Sequence, residues 1–126
     1  MHNQSMNNSL ILVVEDEPEI SAILVSYLEV AGFRTAQAAD GDIAYTLFRQ
    51  FSPDLILLDI KMPKRDGIDV LRDIRRVSNT PIIMLTAMSE DIEKISALRL
   101  GADDYILKPF NTLEVIERVK AVLRRT

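Results

Sequence analysis

The chain has no cysteine, and its one histidine, His2, lies in a polar N-terminal stretch. The first absence excludes a disulfide framework, a thiolate metal site and a cysteine nucleophile, and is compatible with a reducing compartment. The lack of a second histidine removes serine–histidine and cysteine–histidine triads and zinc sites of the usual ligand sets. No apolar run is long enough to span a bilayer, and Met1 to Ser9 lacks the hydrophobic core of a signal peptide. A cytoplasmic location with no membrane partner is therefore expected. Basic charge is not in excess either: the net charge is −4, which leaves no obvious footprint for direct nucleic-acid binding. What remains is ordinary for a folded soluble chain, with 48% hydrophobic and 27% charged residues among 126. That length fits one domain burying roughly two-thirds of its unfolded surface without staples.

Three uninterrupted apolar runs punctuate the sequence: Leu10 to Val14, Leu55 to Leu58 and Ile82 to Leu85. Runs without polar alternation fit strands buried on both faces, the usual state of central parallel strands. Each ends in polar residues: Glu15-Asp16-Glu17, Asp59 and Thr86-Ala87. Thr35 to Ala39 reads as a weaker strand near an edge. Tyr105 to Leu107 reads as a last one, running into Lys108-Pro109-Phe110. Between the strands, apolar residues recur at helical spacing. The helix after Pro18 carries Ile20, Ile23, Leu24, Tyr27 and Leu28 to a stop at Gly32. The next, after Asp40-Gly41, carries Ile43, Ala44, Leu47, Phe48 and Phe51 to Ser52-Pro53. Gly67 opens a third with Ile68, Val70, Leu71, Ile74 and Val77 facing inward. A fourth, opened by Ser89, has a thinner stripe of Ile92, Ile95, Leu98 and Leu100. The last, capped by Asn111 or Thr112, carries Val115, Ile116, Val119, Val122 and Leu123.

Five strand–helix units in alternation imply an α/β fold, a doubly wound parallel sheet with right-handed crossovers and helices on both faces. All strand ends then point one way, so Glu15, Asp16, Asp59, Thr86 and Lys108 gather at one edge, where open α/β sheets bind ligands. Taken alone, Asp59 reads equally well as a turn or cap carboxylate, Glu15 and Asp16 as helix caps, Tyr105 as a half-buried core aromatic and Lys108 as a surface lysine. Their joint order and placement favour a site. Converging carboxylates repel one another, which raises a pKa or demands a cation, and oxygen-only ligands select a hard ion such as Mg²⁺. An oxygen nucleophile, a metal, a lysine and a hydroxyl donor are the parts that receive a phosphoryl group.

The segments Val14-Glu15-Asp16-Glu17-Pro18, Asp54 to Pro63 with Gly67, Thr86-Ala87 and Gly101 to Phe110 together resemble the receiver domains of two-component response regulators. The likeness covers Leu10 to the C-terminus, with Met1 to Ser9 expected to be a disordered or vector-derived tail. The Gly101-Ala-Asp-Asp-Tyr105 segment and the terminal arginines resemble the OmpR/PhoB-like subfamily, whose receivers precede a winged-helix DNA-binding domain absent from this chain. The resemblance implies a flavodoxin-like (βα)5 fold with strand order 2-1-3-4-5. It implies that a sensor histidine kinase phosphorylates Asp59, with Glu15, Asp16, Asp59 and the Lys61 carbonyl around Mg²⁺. Lys108 would pair with the phosphoryl group, Thr86 would swing its hydroxyl towards it, and Tyr105 would rotate inward. It also implies a cis peptide before Pro109, and a phosphoryl lifetime that depends partly on Lys61 and Met88.

Relatives of this kind form homodimers through the fourth helix, the fifth strand and the last helix. Here Lys94, Asp103, Asp104, Glu114 and Arg118 are the expected ion-pairing residues, around an apolar patch of Ile95, Leu98 and Ile116. Arg99 stands where relatives often carry an acid, a departure that weakens one bridge. Against a solvated-surface reading of these charges stands the thin stripe of the Ile92–Leu100 helix. Two other classes rank lower. An aspartate-nucleophile phosphatase usually carries a second acid two residues after the nucleophile, where this chain has Lys61. A flavodoxin-like ligand binder needs a long Ser/Thr/Gly-rich phosphate loop after the first strand, and none follows Val14. The expectation is a signalling switch and not an enzyme, catalysing only its own phosphorylation and dephosphorylation.

Overall fold

In the computed structural model of the chain, which describes residues 8–87 and 101–125, strands and helices alternate around one sheet. The elements are β1 (Leu10–Val14), α1 (Pro18–Val30), β2 (Arg34–Ala38), α2 (Gly41–Phe51), β3 (Leu55–Asp59), α3 (Gly67–Arg75), β4 (Ile82–Thr86), β5 (Asp104–Leu107) and α4 (Thr112–Arg125). The five strands lie in the order β2-β1-β3-β4-β5, every pairing parallel. This is the doubly wound α/β fold expected from the alternation, in the flavodoxin-like strand order that the resemblance implies. The predicted helix from Ser89 to Leu100 lies outside the described residues, and with it Lys94, Ile95, Leu98, Arg99 and Met88.

The apolar runs follow from what each strand must touch. Side chains alternate between faces along a strand, and the core divides accordingly. Ile11, Val13, Leu55, Leu57, Ile83, Leu85 and Ile106 pack with Leu24 and Leu28 of α1 and Val115 and Val119 of α4. Leu12, Val14, Ile56, Leu58, Ile82 and Met84 pack with Ala44 and Phe48 of α2 and Val70, Leu71 and Ile74 of α3. A strand covered on both sides leaves room for a polar residue only at its end, as at Asp59 and Thr86 here. Each fully buried Leu or Ile stabilises by about 1.5–3 kcal/mol. β2, at the edge, is correspondingly mixed, with Arg34 and Gln37 exposed.

Caps set the helix starts. The Asp40 carboxylate accepts the Ile43 N–H at 2.9 Å, and Asp66 accepts those of Ile68 and Asp69 at 3.0 and 3.1 Å. Asn111 accepts the Leu113 N–H at 2.8 Å, and α1 begins at Pro18 without a side-chain cap. Ser52, in the left-handed region at φ 48°, ends α2.

Several expectations need correction. β2 begins one residue earlier than the predicted Thr35, and β5 begins at Asp104. Ile23, Tyr27, Ile43, Phe51 and Val77, assigned to inward stripes, are between 44% and 59% exposed. Ile23, Tyr27, Ile43 and Phe51 stand at the margins of their stripes, and Val77 lies past the end of its helix at Arg75. Asn8 and Ser9, assigned to the tail, are tied to β2: Arg34 Nε donates to the Asn8 carbonyl at 2.8 Å and the Arg34 N–H to that of Ser9 at 2.9 Å.

Candidate functional site

The parity of the strands brings three of the suspected residues to one face. Glu15 continues the Ile11–Val13 side of β1, Asp59 the Leu55–Leu57 side of β3, and Lys108 the Ile106 side of β5. Ladder hydrogen bonds persist past the strand ends, from the Glu15 N–H to the Ala38 carbonyl at 3.1 Å and from the Lys108 N–H to the Thr86 carbonyl at 2.6 Å. Both side chains are thereby aimed by the sheet and not by a loose loop.

Lys108 Nζ lies 3.2 Å from Glu15 Oε1 and 3.2 Å from Asp59 Oδ2. Glu15 and Asp59 are buried, at 2% and 4% exposure. Asp16, half-buried, completes a cluster in which one oxygen from each of the three acids lies within 4.8 Å of the others. The Glu15 side chain also accepts the Glu17 N–H at 3.2 Å, which holds the turn into α1. Burial, and then the neighbouring Glu15 carboxylate, push the Asp59 carboxyl up to about 7, against the pull of Lys108. Burial lowers the Lys108 ammonium, but Asp59 and Glu15 outweigh it and hold the group above its ordinary value. Three acids facing one lysine leave the cluster short of positive charge. Its donors are all oxygen, and Glu15 and Asp16 line an open pocket of about 310 Å³, which fits a hard divalent ion such as Mg²⁺ that keeps several waters.

Thr86 ends β4 next to this cluster in register: Asp59 pairs with Leu85, and Thr86 with Leu107. It is fully buried, and its hydroxyl makes no hydrogen bond among the described residues. A buried hydroxyl without a partner costs about 1–3 kcal/mol. Tyr105, on the same side of β5 as Leu107, is 48% exposed, so its ring points outward in this structure. The Lys108–Pro109 peptide bond is cis. Lys61 is exposed in the turn after β3. That turn closes tightly: the Gly67 N–H donates to the Ile60 carbonyl at 2.7 Å, and a Cβ at Gly67 would sit 2.2 Å from the Asp59 carbonyl oxygen. Beside the cluster an open, mostly apolar groove of about 430 Å³ is lined by Ile20, Ile23, Lys108, Pro109, Phe110 and Thr112.

The residues expected at a dimer face are distributed differently. Asp103 Oδ2 accepts from Arg75 Nη2 at 3.0 Å and from the Ile82 N–H at 2.8 Å within the same chain. Arg118 pairs in-chain with Asp104 at 3.0 Å and Glu114 at 3.1 Å. Ile116, expected on an exposed patch, is buried in the core beside Val115 and Val119, because α4 turns that edge of its stripe towards the sheet. Sequence reasoning missed Arg75, whose guanidinium also donates to the Gly101 and Thr80 carbonyls at 2.8 and 2.7 Å. It also missed Ser21, buried in α1 and donating to Gln37 of β2 at 2.9 Å. A serine on an otherwise apolar helical stripe was the available signal.

Residues 11–120 match the response regulator receiver domain family. The chain is 46% identical over 119 residues to the transcriptional regulatory protein BaeR of Escherichia coli, covering 94% of this chain and 50% of that protein. It is 48% identical over 116 residues to the probable transcriptional regulator ycf27 of Guillardia theta, covering 92% and 46% respectively. It thus spans about half the length of these relatives. Among solved structures, the Francisella response regulator 1452 receiver domain superposes with a TM-score of 0.87 at 37% identity, covering 94% of this chain and 98% of that one. The BeF3-activated N-terminal receiver domain of Klebsiella pneumoniae RstA gives 0.84 at 36% identity, covering 91% and 98%.

Proposed function

The chain belongs to the response regulator receiver domains, and on that premise we propose that it is a phospho-accepting switch in which Asp59 takes a phosphoryl group from a sensor histidine kinase. The observation that carries the proposal is the buried Asp59 carboxylate at the end of the central strand, held by Lys108 and crowded by Glu15. In its ionised form, an Asp59 oxygen attacks phosphorus. The new P–O bond replaces the P–N bond of a phosphohistidine donor, and the electron pair of the broken bond leaves with the imidazole nitrogen. Lys108, already at the carboxylates, then neutralises charge on the phosphoryl oxygens. Glu15, Asp16, Asp59 and the Lys61 carbonyl would hold Mg²⁺. When bound, the ion balances the carboxylates and supplies a Lewis acid to the phosphoryl oxygens.

The partnerless Thr86 hydroxyl is a donor waiting for an acceptor. A phosphoryl oxygen on Asp59 gives it one, and the exposed Tyr105 then turns inward into the space that Thr86 leaves. The groove of Ile20, Ile23 and Phe110 beside the cluster is the surface that the donor protein covers as its histidine reaches Asp59. The output is homodimerisation through the Ile92–Leu100 segment, β5 and α4. Ile95 and Leu98 supply apolar contact, Ile116 supports them from the core, and Lys94, Asp103, Asp104, Glu114 and Arg118 supply charge. For Asp103, Asp104, Glu114 and Arg118 this means exchanging in-chain ion pairs for intermolecular ones.

Residues 10–126 act as the receiver, and a winged-helix domain carried by the remainder of a longer protein binds DNA. The relatives' description as transcriptional regulators at twice the length supports that output. Sedimentation velocity with beryllofluoride and Mg²⁺ tests the switch: the wild type is expected to dimerise and Asp59→Asn to remain monomeric. A wild type that sediments unchanged overturns the proposal.

A further inference from the structure

We infer that Arg65 is a positioning residue for the Mg²⁺ site, acting through the turn that follows Asp59. The inference rests on the reading above that the Lys61 carbonyl is a ligand. A carbonyl can serve only if its peptide plane is fixed, and that plane is set by the path of the chain on both sides. On the near side the chain is rigid: Ile60 is fully buried and donates its N–H to the Leu85 carbonyl at 3.0 Å. On the far side the path runs through Met62, a flexible side chain packed partly on the core. It then passes Lys64, a non-glycine residue held in the left-handed region at φ 69°.

Arg65 ties this far side down. Its guanidinium pairs with Asp73 of α3, lies 3.8 Å from the Asp42 carboxylate of α2 and sits 6.0 Å from the centre of the Tyr45 ring. Its N–H donates to the Pro63 carbonyl at 2.8 Å, closing the turn around Lys64. Its backbone lies so close to the first turn of α2 that a Cβ at Gly41 would stand 2.7 Å from both its Cβ and its carbonyl oxygen. One side chain thus clamps the turn to two helices. The neighbouring Lys64–Asp40 contact, at 4.0 Å with the lysine 65% exposed, is a weak substitute. The Arg65 guanidinium supports the metal without touching it, as outer-shell groups do.

Calorimetric titration of the full chain with MgCl2 tests this. Arg65→Ala is expected to weaken Mg²⁺ binding about tenfold, the lower end of losses from outer-shell changes. Arg65→Lys, which keeps the charge but not the planar fork, is expected to lie between. Arg75→Ala, which breaks an arginine staple at the far end of α3, is expected to lower the melting temperature and leave Mg²⁺ affinity unchanged. Should Arg65→Ala fail to fold, Asp73→Asn removes the same clamp more gently and is expected to weaken binding in the same direction. Unchanged affinity in a folded Arg65 or Asp73 variant, or an equal loss in Arg75→Ala, overturns the inference. A wild type without a saturable isotherm overturns instead the Mg²⁺ reading beneath it.

Discussion

The Lys108 ammonium, aimed from the end of β5, lies 3.2 Å from the Asp59 carboxylate at the end of β3, with β4 lying between the two strands. This contact couples the two parts of the sheet edge that a phosphoryl group would join under the proposed function. It is shared with Glu15, so a single cation offsets two buried acids.

Removing that cation leaves both acids uncompensated. Lys108→Ala is expected to destabilise the metal-free domain by about 3 kcal/mol at pH 8, the lower end of the range for breaking a buried ion pair. The loss should be smaller at pH 5, where Asp59 is protonated, and Mg²⁺ should recover much of it. Denaturant melts at the two pH values, with and without Mg²⁺, measure this.

The Asp59 carboxyl rises from 3.8 to about 7 on folding. The folded state therefore holds this proton more tightly than the unfolded chain does. The stability it contributes is complete below pH 3.8 and is lost as pH rises through about 7. Asp59→Asn removes the titration. The variant should match the wild type in acid and exceed it in metal-free buffer above neutrality, by up to roughly 4 kcal/mol at about 1.4 kcal/mol per pKa unit. Parallel melts across this range check the sign, and Mg²⁺ at pH 8 should narrow the gap.

Under the proposed function, Thr86 separates stability from signalling. Its hydroxyl is buried without a partner among the described residues, so the nearly isosteric Thr86→Val should cost the resting domain nothing and gain it up to about 1 kcal/mol. The same change removes the donor, so beryllofluoride should no longer drive dimerisation. A stable variant that still dimerises would take Thr86 out of the switch.

The sheet was legible because burial on both faces writes itself as unbroken apolar runs, and the central place of β1, β3 and β4 follows from which runs are purest, whereas their order came with the resemblance to receiver domains. The edge position of β2 followed from its small and polar residues. At the site, Glu15, Asp59 and Lys108 could be placed from strand ends alone, since parity fixes the face. The margins of helices were not legible. Leu24 and Ile23 look alike in sequence, yet one is buried and the other half-exposed, because spacing defines the centre of a stripe and not how far the sheet covers it. Ion-pair partners were equally hidden. Asp103 meets Arg75, 28 residues earlier, through the relative rotation of α3 and the β5 entry, which no local pattern encodes. The Arg65 clamp depends likewise on α2 and α3 lying side by side.

The central claim is that Asp59 is a phosphoacceptor, and intact-mass spectrometry after incubation with acetyl phosphate and Mg²⁺ tests it most directly. The wild type should gain the mass of one phosphoryl group, mapped to the peptide containing Asp59, while Asp59→Asn gains none. An unmodified wild type, or an equal gain in Asp59→Asn, would contradict it.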